Sequence, residues 1–409
     1  MALDEAPEIQ ENIGFELIGY HDLDGKAGFK LALHETADGR WYLYTGELWG
    51  HGWLVLDVTD PTAPRLAPPV PGPDGTWTIQ VQAADGLLVA GLEQPMPGWG
   101  VPEGVPFEEG ALFWDIAADP EHPRLLGEWR TGATGTHRNF YAGGRYAFMT
   151  ATRPGWVGHG LVILDVSDPT APREVSTWAW PEQENDHGQG VVQNYLHGPA
   201  HVEGDRAYLP HGRAGLVILD LSDITKPTMI SHLDFGDLGS VLGVHSAVPL
   251  PGRDLLIVNG EAIQESAGDA LNYTFVVDIS DERAPRIVST FPMPRPLPGL
   301  PHRNYYEKGG RFGPHNQHHF QNNPAHARLS RHVPMTYFNA GLRLFDLADP
   351  LQPVEIGCFV PADPTRRRGA LPSTLTSQFE DLIIDRRGNI FVTDKNHGLF
   401  VLRAEHPLE

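Results

Sequence analysis

Three histidines recur at one position of a repeated pattern. His137, His197 and His245 each lie eleven residues ahead of Phe148, Tyr208 and Leu256, which fill one slot in successive segments. A later segment, GPHNQHH, offers His315, His318 and His319 in the same region, but an insertion breaks the count there and leaves open which ring faces inward. Glu380 lies eleven residues before Phe391 and takes the corresponding slot in the last segment. Imidazole is a borderline-soft donor that suits iron, manganese, copper or zinc. The chain's one cysteine, Cys358, lies outside these segments, which argues against a sulfur-rich structural zinc site. The expected ligands are His137, His197, His245, His315 and His318. The expected cofactor is a divalent transition metal, iron first, with manganese, copper or zinc as alternatives. Glu380 is expected to ligate the metal directly, to orient a histidine or to act catalytically as a general base, and His201, four residues after His197, to line the space below the metal, also as a catalytic candidate. The competing reading is a channel wall that happens to be polar.

Convergence of these side chains needs a repeated fold. Leu161–Pro172 reads LVILDVSDPTAP, and related stretches begin at Leu54, Leu112, Leu216, Phe275, Leu342 and, truncated, Leu399. Each apolar run suits a strand buried on both faces. Each full copy ends in Asp and Pro, which favour a turn and cannot continue a ladder. An alternating strand, a Gly-rich turn and an aromatic-apolar strand precede the run, and a further strand follows it. The pattern predicts four strands per repeat, a to d from the axis outward, and an all-β fold: a seven-bladed β-propeller over residues 1–409 as one domain. The last copy lacks its outer strand, and the segment from Gly14, GFELIGYHDL, is expected to supply it and close the ring. This pattern resembles the LVIVD-repeat family of β-propellers, a resemblance that implies the fold and names no reaction.

Long insertions fall at Gln94–Gly110, Arg153–Gly158, Pro181–Leu196, Ala262–Asn272, Pro292–Gly313 and Gln321–Val333. All are assigned to b–c or d–a connections, so that one face of the disc is decorated and the other bare. On the decorated face the loops bring Trp49, Trp99, Trp156, Trp180, Tyr305, Tyr306 and Phe320, an aromatic rim suited to an organic substrate or simply packing the loops down. His51, His159, His211 and His397 sit in b–c turns and read as turn or surface residues. His187 reads as a solvated loop residue or a lid. Glu47, Glu93 and Glu261 recur at the ends of b strands, where a solvated carboxylate is the favoured reading and a reach to the site the alternative.

With 30 Lys and Arg against 52 Asp and Glu, a net charge of -22 opposes nucleic-acid and membrane partners. No signal-like segment and no bilayer-length apolar run are apparent, so the cytoplasm is the expected location. A four-histidine site on a seven-bladed propeller is similar in architecture to the carotenoid-cleavage oxygenases, whose likeness implies oxidative, non-haem metal chemistry on a small organic substrate. A His-ligated manganese centre is similar to the oligouronate lyases. That alternative, a lyase or hydrolase, would gain from a basic residue at the site, with Arg138 and Arg303 as candidates. The remaining alternative is a non-catalytic interaction scaffold.

Overall fold

The computed structural model describes residues 5–102, 104–181, 183, 195–236, 241–266, 268–269 and 272–409. Among them the strands form seven antiparallel sheets. These are the blades of a seven-bladed β-propeller, and each is centred on one of the apolar repeat runs. The third strands are Gly52–Asp57, Gly110–Asp115, Gly160–Asp165, Leu216–Asp220, Thr274–Asp278, Leu342–Asp346 and Gly398–Ala404. Their aliphatic residues are buried on both faces because each sheet packs between two neighbours. One core cluster, for example, joins Leu43, Leu54 and Leu56 of the first blade to Ile383, Phe391 and Val401 of the seventh.

The turn after each of the first six runs follows from its aspartates. Asp57, Asp165, Asp220 and Asp278 each accept the backbone N–H of the residue two positions on. The second aspartate of the motif repeats the device, with Asp60, Asp168 and Asp223 accepting from Thr62, Thr170 and Thr225. Two successive Asx turns reverse the chain in the fewest residues and keep this edge of the disc tight.

Ring closure follows the expected route. Phe15–His21 pairs antiparallel with Gly398–Ala404, from Phe15 opposite Ala404 to His21 opposite Leu399, and becomes the outer strand of the seventh blade. A second N-terminal strand, Ile9–Ile13, adds to the outside of Val354–Pro361 in the sixth blade. The chain start therefore laces two blades together.

The insertion at 321–333 corrects the loop assignment. The inner strand of the sixth blade meets the second strand, His332–Thr336, through the Gln317–Met335 bridge. Residues 320–331 thus connect a to b, on the face opposite the other long loops. That face is not bare.

Candidate metal centre

Four histidines share one backbone anchor. The N–H groups of His137, His197, His245 and His315 donate to Thr150, Pro210, Asn259 and Thr336, each at the end of its blade's second strand, at 2.8–3.0 Å. This places four imidazoles side by side around the mouth of the channel, with successive ring centroids 4.8, 4.6 and 4.9 Å apart. In the sixth blade it is His315 that occupies the slot.

Their nitrogens are sorted by direction. His245 Nδ1 meets Ser246 Oγ at 2.9 Å, His315 Nδ1 donates to the Glu380 carbonyl at 2.6 Å, and His137 Nδ1 lies 2.6 Å from Glu93 Oε2. The Nε2 atoms of His197, His245 and His315 instead converge on Glu261, at 3.8, 3.4 and 3.6 Å from its carboxylate oxygens. Donors about 2.1 Å from a common tetrahedral ion stand about 3.4 Å apart, which the His245–Glu261 separation matches and the other two exceed, His315 facing the other carboxylate oxygen. His197, His245 and Glu261 each offer a donor atom within 4.8 Å of the others. His197 Nδ1 is buried and has no hydrogen-bond partner among the described residues.

The carboxylate is oriented from behind. Arg311 holds Glu261 Oε1 at 2.8 Å and stands 3.5 Å from Glu380, and its guanidinium lies 3.9 Å from the Phe338 ring centroid. Lys395 pairs with Glu380 at 3.0 Å and lies under Trp99. Burial, with smaller contributions from neighbouring cations and rings, holds His197, His245 and His315 well below the ordinary imidazole range, so they are neutral and ligand-ready. Burial raises the Glu380 carboxyl against the pull of Lys395 and Arg311, and lowers Lys395 to about 8. Burial would also raise Glu93, but the His137 and His159 rings beside it bring it down to about 2.

The family model for the LVIVD repeat matches residues 155–179 and 200–234. The chain carries LVIVD repeats. No curated protein matches it. The two matched LVIVD stretches cover strands of the third and fourth blades; His197 falls between them and His245 beyond, so the repeat accounts for the framework and not for the donor set.

The other expected residues are distributed as follows. His318 does not join the cluster, because its Nε2 bonds the Ala327 carbonyl at 2.7 Å and its Nδ1 accepts Ile384 N–H at 3.2 Å, which uses both nitrogens on backbone. His201 lies deeper, with Nδ1 3.1 Å from His319 Nδ1 and both rings against Phe140. Glu380 is fully buried, and it faces Lys395, Arg311 and His315 rather than an open space. Arg138 is buried beneath the ring of histidines, where it donates to the His245 carbonyl at 2.6 Å and to Asn316 at 2.7 Å and so ties four inner strands together. Arg303 is exposed and pairs with Glu307.

Glu93 and Glu261 are the residues that sequence reasoning undervalued. They follow closely on the second strands Leu87–Leu92 and Leu255–Asn259, and their recurrence as GLE and NGE was the available signal. His159 also enters, with Nε2 3.1 Å from Glu93, while Glu47 pairs with Lys26 instead. Of the aromatic rim, Trp99 and Trp49 stack near the mouth, Trp180 packs on His211 and His232, Tyr305 is buried against Glu11, and Phe320 lies under Arg328 in the a–b insertion. His187 lies outside the described residues. Among the described residues no helix is long and apolar enough to cross a membrane.

Proposed function

We propose that this propeller is a metal-dependent enzyme whose centre is one divalent transition-metal ion held by His197, His245, His315 and Glu261. The convergence of three Nε2 atoms from three blades on one carboxylate, at 3.4–3.8 Å, carries this reading. A rigid scaffold supplies these donors before any ion arrives, and the sulfur-free N3O set favours iron, with manganese, copper and zinc as alternatives.

His137 stands at the open edge of the set with its tautomer governed by Glu93, as a fourth ligand or as the group that meets substrate. Arg311 fixes the Glu261 carboxylate by holding Oε1, which also faces His315 Nε2, and Oε2 faces His197 and His245. A redox-active ion in this set would supply oxidative chemistry with an external oxidant, and the aromatic surface of Trp99 and Trp49, backed by the buried Trp77, supports a small organic substrate with ring or apolar character. The two arginines expected to favour the lyase alternative are engaged elsewhere, Arg138 with the His245 carbonyl and Asn316 and Arg303 with Glu307, while the basic groups at the site are Arg311 and Lys395, each paired with a carboxylate.

Titration of metal-free protein with cobalt(II) tests the donor set. We expect visible d–d bands that saturate at one equivalent and that weaken sharply in Glu261→Gln. Featureless spectra, or spectra identical in Glu261→Gln, would exclude this assignment.

A further inference from the structure

The floor of the histidine ring carries a charge that no carboxylate matches directly. Among the described residues the buried cationic side chains are Arg138, Lys308, Arg311, Arg343 and Lys395. Four of them meet a carboxylate at 2.8–3.1 Å: Lys308 with Asp363, Arg311 with Glu261, Arg343 with Glu355 and Lys395 with Glu380. Arg138 has none within ion-pair distance among the described residues. Its acceptors are neutral: the Gly198 and His245 carbonyls and Asn316 Oδ1, with Ser246 Oγ at 3.2 Å. Burying a charge without an opposite one is costly, and buried charges are normally paired. Burial lowers Arg138 only to about 10, so it stays charged at neutral pH.

Its position decides what that charge acts on. From the third blade the guanidinium reaches the inner strands of the fourth, fifth and sixth, and Gly198, Ser246 and Asn316 each follow directly on one of the ring histidines. Nη1 stands 3.3 Å from His245 Nδ1, while Nε2 of the same ring faces Glu261 at 3.4 Å. Two carboxylates feel the guanidinium at longer range, Glu261 and Asp381. Asp381 is already matched by Lys30 at 3.0 Å, and Glu261 by Arg311 at 2.8 Å. The surplus positive charge therefore bears on the donor set itself.

We infer that Arg138 sets the reduction potential of the ion in the metal centre proposed above, on which this inference rests, and holds that ion in its lower oxidation state. A fixed positive charge opposes the further unit of charge that the ion gains when it loses an electron, and a buried site screens that repulsion poorly. In the iron form the step is one electron added to the ferric ion to give the ferrous ion; Arg138 neither supplies nor takes it.

Potentiometric titration of the iron-loaded full chain with dithionite and mediator dyes, followed by the electron paramagnetic resonance of the ferric ion, tests this. Arg138→Gln removes the charge and should raise the ferric-to-ferrous ratio at a fixed potential at least tenfold, a fall of about 59 mV in midpoint, while one equivalent of iron is retained. Arg138→Lys keeps the charge and should hold that ratio within about threefold of the native chain. Should Arg138→Gln not fold, Asn316→Asp sets a carboxylate at the 2.7 Å contact with the guanidinium and should lower the midpoint in the same sense. An unchanged midpoint in the charge-neutralised variant, or an equal fall in Arg138→Lys, would overturn the inference and leave the metal centre standing. A native chain that takes up no iron would remove both.

Discussion

Removing the closing strand should cost the ring most of its stability, and the structure gives the size of the loss. Phe15, Ile18 and Tyr20 on Phe15–His21 are 1%, 8% and 5% exposed. Burying a side chain of this size contributes roughly 1.5–3 kcal/mol, so the three together contribute roughly 5–9 kcal/mol. The buried bond from Tyr20 Oη–H to the His397 carbonyl, at 2.7 Å, adds about 1 kcal/mol. That total matches the whole net stability of many folded domains, about 5–15 kcal/mol. The neighbouring strand Ile9–Ile13 buries only Glu11, which accepts from Tyr305 Oη at 2.6 Å and Leu297 N–H at 2.8 Å. A chain starting at Gly14 should therefore remain folded with a moderately lowered denaturation midpoint, whereas one starting at Asp22 should lose its cooperative transition. Guanidinium unfolding followed by circular dichroism distinguishes them. An unchanged midpoint for the chain starting at Asp22 would refute the closure argument.

Three further outcomes follow from the site and its surroundings. His318→Leu should retain metal while losing roughly 2–4 kcal/mol in chemical denaturation, because the Ala327 carbonyl and Ile384 N–H are left unsatisfied; loss of metal would return His318 to the ligand set. Arg311→Met should destabilise the fold by about 3–5 kcal/mol, since it strips the guanidinium from two buried carboxylates, Glu261 and Glu380, and a neutral result in the same assay would mean that these carboxylates are otherwise matched. Burial lowers His211 and His326 to about 3 and His318 to about 4. These folded values lie below the unfolded value of about 6.5, so the unfolded chain takes up protons first and stability falls as pH drops below about 6.5. At pH 5 each of the three removes about 2 kcal/mol relative to neutral pH, and equal denaturation midpoints at pH 7 and pH 5 would contradict their burial as neutral rings.

The sequence made the framework legible because its signals are local and repeated. An apolar run closed by two Asx turns reads the same in the first six blades, and the orphan strand at Gly14 could be matched to the truncated run at Leu399. The equivalence of His137, His197 and His245 was readable from constant spacing, since the a–b turns between them and their reference residues have one length. It failed in the sixth blade because residues 320–331 lengthen that turn, which left His315, His318 and His319 indistinguishable until the backbone anchor at Thr336 selected His315. Glu261 was undervalued for a different reason. A carboxylate at a strand end is usually solvated, and its burial depends on Arg311, fifty residues on, which no local pattern connects to it.

The central claim is tested most directly by elemental analysis of untagged protein purified without added metal, beside His245→Ala. The account predicts about one equivalent of a transition metal, iron above the others, in the native chain and little in the variant, with the same circular dichroism spectrum for both. Native protein that carries no metal and takes up none on reconstitution, or a variant that retains a full equivalent, would contradict it.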